Sequence, residues 1–171
     1  MEAVRTALVR AMEYLGAHPE EARYTDPTAK ATLEGGLVVR IEGPGGEAVV
    51  TDMPTSVGGD GSAPSPGWLF RASVAGCVAT LIAMRAAHLG VQLSALDVTV
   101  DSESDDRGIL GMDPSIPAGP LSMRISVRAE GPDEASVGEI VEWAVEHCPV
   151  SDAVRRAVPV SVQTAAGGTE R

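Results

Sequence analysis

The sequence predicts an α+β fold in which antiparallel sheets pack around a long buried central helix. Three observations lead there. The order of apolar patterns reads α-βββ-α-ββ-α-α-β, so strands and helices are grouped rather than alternating as βαβ units. The most apolar stretch, Ser65–Gly90, is bounded by helix signals and is apolar nearly all round, as befits a helix in the middle of a fold. And 171 residues, 44% of them apolar, suffice for one core without disulfide staples.

Glu2–Gly16 is an amphipathic helix with Val4, Leu8, Met12 and Leu15 on one face, ended by Gly16 and Pro19. A polar linker, His18–Pro27, follows. Lys30–Val39 and Glu47–Asp52 are strand-like, joined by the turn Glu42-Gly43-Pro44-Gly45-Gly46. Gly35-Gly36 marks a further turn or bulge, which divides this region into up to three short strands. Met53–Pro66 is a Gly/Ser/Pro-rich loop that enters the central helix. There Ser65 can cap, Pro66 suits the first helical position and Gly90 closes the end. Leu69, Ser73, Gly76, Cys77, Thr80 and Met84 recur at three- and four-residue steps, and Ala72, Ala75, Gly76 and Ala79 allow close backbone approach. Arg71 and Arg85 leave thirteen uncharged residues between them, short of the roughly twenty of a membrane span.

Ala95–Ser102 alternates as a strand, followed by an acidic loop Glu103–Arg107 and a Pro/Gly-rich stretch to Pro120. Leu121–Ala129 is its strand partner. Asp133–His147 is a second amphipathic helix, broken by Cys148-Pro149. Ser151 is expected to cap a short helix Asp152–Ala157, and Val158–Gln163 to form a last strand. The division is 1–28, N-terminal helix and linker; 29–165, the main domain; 166–171, a flexible tail.

A formal charge of −11 argues against nucleic acid and anionic membrane surfaces as partners. Aromatic residues make up only 3%, too few for base-stacking platforms. No basic-then-apolar leader opens the sequence, so a cytoplasmic location is expected. Two cysteines do not make a secreted disulfide framework; in a reducing compartment they are inert core residues or redox-active.

Cys77 lies within the central helix and Cys148 just ahead of Pro149. A thiol near a helix N-terminus gains thiolate character, whereas a mid-helix thiol needs a nearby cation. Against this stands the packing of free cysteine as a small hydrophobe. Cys77, Cys148, His18, His88 and His147 contain no Cys-x-x-Cys pair, and the adjacent His147-Cys148 is poorly placed to chelate one zinc. Asp101-Ser-Glu103-Ser-Asp105-Asp106 resembles the start of a calcium loop but has Asp106 where glycine is needed and Met112 where an acid belongs. Gly58-Gly59-Asp60-Gly61 lacks the Gly-Lys-Ser/Thr of a phosphate loop, and no Gly-x-Ser-x-Gly occurs.

Three stretches together resemble the OsmC/Ohr family of osmotically inducible and organic-hydroperoxide-resistance proteins. They are Asp52-Met53-Pro54…Gly58-Gly59…Pro64-Ser65-Pro66, then Leu69-Phe70-Arg71-Ala72-Ser73-Val74-Ala75-Gly76-Cys77, then Cys148-Pro149-Val150-Ser151. The resemblance spans about Ala29 to Gln163 and leaves the first helix as an addition, which would cover the sheet edge or extend a dimer contact. It implies an intertwined homodimer and a cofactor-free, metal-free thiol peroxidase acting on organic hydroperoxides. Cys77 would be the peroxidatic thiol and Cys148 the resolving one, with a dithiol as reductant. Family peroxidases carry a glutamate after the proline that opens the central helix, where this chain has Gly67 and Trp68. They also place an arginine after the hairpin Gly-Gly, where Leu37 stands here, or in the loop before the helix, where Val57–Pro66 has none. Arg40, Arg71 or Arg107 would then supply the thiolate-stabilising charge, Arg107 by reaching across the dimer from its acidic loop. The alternative is a catalytically weak small-molecule-binding or redox-sensing module of the same fold; two inert core cysteines in a stable dimer is the third reading.

Overall fold

The computed structural model describes residues 1–164, so the expected tail, 166–171, lies outside the described residues. Helix α1, Glu2–Ala17, leads through a 3-10 turn, Pro19–Ala22, to a meander of β1, Lys30–Gly35, β2, Val38–Glu42, and β3, Ala48–Thr51. The central helix α2 spans Pro66–Leu89. Then come β4, Ala95–Glu103, a single helical turn α3, Asp106–Ile109, β5, Ser122–Glu130, and the helices α4, Glu134–Glu146, and α5, Pro149–Arg156. Both sheets are antiparallel, β1-β2-β3 and β4-β5.

Helix α2 begins and ends as its sequence dictates. The Ser65 hydroxyl accepts from the Trp68 N–H, Pro66 holds the first turn, and Gly90 closes the helix at φ 73°. Its buried stripe, Val74, Val78, Ile82 and Ala86, meets Ile140 and Ala144 of α4 and Cys148. The inward residues of β4 and β5 complete this core. Val98 opposes Val127, Val100 opposes Ile125, and all four pack against the cluster. Each buried Val or Ile here contributes roughly 1.5–3 kcal/mol of transfer free energy.

Three expectations are corrected. First, α2 is not buried all round: Trp68, Ser73, Gly76 and Thr80 remain exposed in the chain. Its one-sided cover follows from the sheets. Strands β4 and β5 pack on α2, whereas every residue of β1 is exposed. Second, 158–163 forms no strand. Val158, Val160 and Val162 alternate as a strand should, yet the last two are 86% and 81% exposed, and no strand among the described residues offers them a ladder. Third, α5 starts at Pro149, and Cys148 rather than Ser151 is its N-cap. The acidic loop also holds a helical turn. Asp105 caps α3 through the Arg107 N–H at 3.0 Å, and Gly108 lies where a Cβ would strike the Pro117 carbonyl.

By length and mean hydropathy, 1.5, α2 is apolar enough to cross a bilayer. Arg71 and Arg85 interrupt it, and its buried stripe is committed to β4, β5 and α4, the place of a core helix. Helix α1 lies along α2. Of its apolar face only Leu8 is half-buried, while Val4, Met12 and Leu15 stay exposed.

Candidate active site: a thiol pair where α2 meets α5

Cys77 occupies the position on α2 between the buried Val74 and Val78 and is itself only half-buried. Cys148 comes from the other end of the domain. Helix α4 ends at Glu146, the chain turns at His147, and Pro149 fixes the first position of α5. This leaves Cys148 as the N-cap, completely buried, with its Sγ accepting from the Ser151 N–H at 3.5 Å. The fold therefore joins two cysteines 71 positions apart: Cys77 packs against the buried cluster that contains Cys148.

The two thiols differ electrostatically. Burial pushes the Cys77 thiol above its ordinary value, and Cys148 adds to the rise; the Val150 N–H works against them. Burial also acts to raise Cys148. There the Ser151 hydroxyl and N–H, the Cys77 thiol and the Val150 N–H overcome it and hold the thiol below its ordinary value. The Ser151 side chain is only 6% exposed, and its hydroxyl has no hydrogen-bond partner among the described residues.

None of the three candidate arginines is among the groups that move the Cys77 thiol. Arg40 is bound to Glu34 at 2.7 Å on the hairpin surface. Arg107 is turned back on its own cap, Asp105, at 3.0 Å. Arg71 reaches Ser102 of β4 at 3.3 Å and lines a hollow of about 460 Å³ with Asp52, Pro64, Ser65 and Trp68. Leu37 is 40% exposed at the β1–β2 tip, and Gly67 is exposed in the first turn of α2. Neither position offers an acid or a cation.

The remaining sequence candidates go elsewhere. Asp101 pairs across the ladder with Arg124 at 3.6 Å, and Asp105 caps α3. His147 stacks on Trp143, with Nδ1 at 2.8 Å from the Trp143 carbonyl, and His18 stacks on Tyr14. Among the described residues no three His, Cys, Asp or Glu side chains are grouped to hold a metal ion.

Two residues named in the sequence take roles that the sequence reading did not assign. Asp52, fully buried at the end of β3, accepts from the N–H groups of Met53, Asp60 and Ser62 and from the Ser62 hydroxyl, at 2.7–3.1 Å. The Ser62 N–H leads this set in holding its carboxyl below the usual carboxylate range. Its signal was an acid directly before a Gly/Ser-rich loop. Ser151 is the other. Its signal was the spacing Cys-Pro-x-Ser, which sets a cap three residues before a hydroxyl.

The OsmC-like protein family model matches residues 59–163, more than half of the chain, from the loop before α2 to beyond α5. The chain belongs to the OsmC-like family. Solved structures agree with the family assignment. An organic hydroperoxide resistance protein of Legionella pneumophila, OsmC, is 26% identical and superposes with a TM-score of 0.57, covering 78% of this chain and 91% of its own. One from Elizabethkingia anophelis, with thiocyanate bound, is 20% identical at a TM-score of 0.57, over 78% and 91%. An OsmC-like protein of unknown function from Vibrio cholerae is 10% identical at 0.63, over 76% and 94%. The last two establish a shared fold alone. No curated protein sequence is significantly similar to the chain. The family match begins well after α1, so in this OsmC-like chain α1 and the hairpin sheet lie outside the matched segment.

Proposed function

We propose that this OsmC-like chain is a thiol peroxidase for organic hydroperoxides, with Cys77 as peroxidatic and Cys148 as resolving cysteine. One observation supports the reading most: the half-buried Cys77 of α2 packs against the core cluster that holds the buried Cys148. Cys77 sulfur attacks the O–O bond, becoming a sulfenic acid and releasing the alcohol. Cys148 sulfur then displaces the sulfenic oxygen as water, and the disulfide is reduced by an external dithiol. Chemistry of this kind needs no metal or cofactor. The largely apolar wall around Cys77, Val74, Val78, Leu81 and Val150, suits alkyl hydroperoxides better than hydrogen peroxide.

The same reading makes the chain a homodimer acting in the reducing cytoplasm. The exposed Ser73–Gly76–Thr80 face of α2, made of small residues, and the exposed Val158, Val160 and Val162 support a second copy, since they lack cover in one chain. The test is intact mass under non-reducing conditions after one equivalent of cumene hydroperoxide. Loss of two hydrogens, absent in Cys77→Ser, is expected; an unchanged mass overturns the reading. A second reading, a redox-sensing or small-molecule-binding module with slow turnover, is favoured by the raised Cys77 thiol and by Gly67 and Leu37. On that reading the disulfide forms once but dithiol-driven turnover stays at the uncatalysed rate.

A further inference from the structure

Three arginines are half-buried among the described residues, and two of them are spent. Arg40 holds Glu34 at 2.7 Å, and Arg85 lies 4.8 Å over the Trp143 ring. Arg71 has only a neutral partner. One of its N–H groups donates to the Ser102 hydroxyl at 3.3 Å, and no carboxylate among the described residues pairs with it. A guanidinium presents its donors as a planar fork, so most of this one is left for a molecule from solution. In a chain with 24 acids to 13 bases, a half-buried cation without an acid calls for a local reason. Gly67 supplies it. One turn before Arg71, at the spacing where an acid would pair with it, α2 carries no side chain, and a Cβ there would sit 3.9 Å from Arg71 Nη1.

Arg71 lines the hollow of about 460 Å³ at the foot of α2, a size within the range of about 300–1,000 Å³ usual for small-molecule sites. Trp68 lines it too and is 50% exposed, whereas the other tryptophan, Trp143, is covered by Arg85 and His147. Pro54, Ala63 and Pro64 extend the apolar wall. Asp52 also borders the hollow, but its carboxylate is 1% exposed and already accepts from Met53, Asp60 and Ser62. It stiffens the wall and opposes any ligand with a second full negative charge. Neither cysteine lines the hollow. Cys77 lies roughly 120° round α2 from Arg71 and about 9 Å along its axis, and the Ser73–Gly76–Thr80 face lies roughly 140–200° round. We propose that this hollow binds a small aryl carboxylate as its monoanion, the carboxylate forked on Arg71 and the ring packed on the Trp68 indole. A planar carboxylate matches the guanidinium fork, and an aromatic ring gives the exposed indole a partner. Binding of this kind needs neither cysteine.

Titration of the reduced, full-length chain with 3-phenylpropionate, followed by proton–nitrogen correlation spectra without peroxide, tests the site. The indole N–H signal of Trp68, identified by its loss in Trp68→Phe, should move saturably with a Kd of about 1 mM or tighter, while that of Trp143 stays in place. The neutral isostere 3-phenylpropanol should bind roughly tenfold more weakly or worse, and phenyl phosphate more weakly than the carboxylate. Arg71→Gln should weaken 3-phenylpropionate by roughly tenfold or more, the loss of a charge-assisted hydrogen bond. Gly67→Glu should do the same with the arginine still present, by seating an acid on it from one turn away. It decides the matter should Arg71→Gln fail to fold, since nothing but Arg71 and Ser65 lies near the added Cβ. No saturable shift up to about 10 mM overturns the proposal, as does movement of the Trp143 signal alone. An alcohol that binds as well as the acid, or a Kd unchanged in the folded variants, removes Arg71 from the site and overturns it too. Tighter binding of phenyl phosphate overturns the assignment to a monoanionic carboxylate. Each of these outcomes is independent of whether Cys77 reacts with a peroxide.

Discussion

Cys77 and Cys148 are the same side chain in two backbone settings, and the settings assign them opposite characters. Cys77 sits mid-helix, where every N–H of its own helix is already committed, so burial leads in governing it and favours the neutral thiol. Cys148 is completely buried, which by itself favours the neutral thiol more strongly. It stands at a helix start, however, where N–H groups have no carbonyl to serve, and these turn the balance toward the thiolate. Depth of burial thus ranks the two sulfurs one way and backbone donors the other, and the donors prevail. Accessibility separates them further: Cys77 is half-buried, whereas Cys148 is fully shielded.

The largest effect expected is on turnover. Cys77→Ser should bring peroxide consumption down to the buffer rate, and Cys148→Ser should cut steady-state consumption at least 100-fold while leaving a trapped sulfenic acid. Full activity in either variant, in a coupled peroxide assay, would erase the distinction between the two thiols. Next is accessibility. Iodoacetamide should label Cys77 of the native, reduced protein about 100-fold faster than Cys148 at neutral pH, read by peptide mapping. Faster labelling of Cys148 would mean that its cover opens and that charge, rather than access, sets reactivity.

Stability should depend on pH with opposite signs for the two. The raised Cys77 thiol stabilises the fold below the ordinary thiol range, near 8.5, and that contribution fades as pH rises through its higher folded value. The lowered Cys148 thiol contributes above the ordinary range and fades as pH falls through its lower folded value. Between about pH 6 and about pH 10, Cys77→Ala should therefore flatten the alkaline loss of Tm and Cys148→Ala should steepen it. Parallel curves would show that the pair is not electrostatically divided. The smallest effect belongs to Pro149→Ala. Freeing the first position of α5 should lower stability by about 0.4–1 kcal/mol through the unfolded chain, and slow disulfide closure only a few-fold, because Cys148 keeps its cap.

How far the sequence discloses this arrangement differs along the chain. Helix α2 was legible to the residue at its N-cap, since Ser65, Pro66 and Gly90 act through local backbone chemistry. The β4–β5 ladder followed from strict alternation, because one face packs on α2 and the other meets solvent. Helix α5 was misread by three residues at its start. Serine is the habitual cap, and nothing local reveals that a sulfur can take that place when proline follows it. Residues 158–163 alternate as convincingly as β5, but alternation reports which face is apolar and not whether a neighbouring strand exists. The pairing of Cys77 with Cys148 came from resemblance alone, for no spacing along the chain encodes a contact made by α4 folding back over α2. The arginines were beyond reach for the same reason, each having settled on the nearest acid or hydroxyl.

Asp52 carries a mechanical consequence. Its N–H is bound to the Pro64 carbonyl at 3.2 Å, one residue before the cap of α2, and its carboxylate gathers the intervening loop at Met53, Asp60 and Ser62. Gly59 fits under the Met53 carbonyl, where a Cβ would collide. The thirteen residues between β3 and Ser65 are thus a rivet rather than a tether. The meander, which has little grip on the core of its own chain, is coupled stiffly to the foot of α2, and any torque on the sheet arrives at Trp68 and Arg71 without slack.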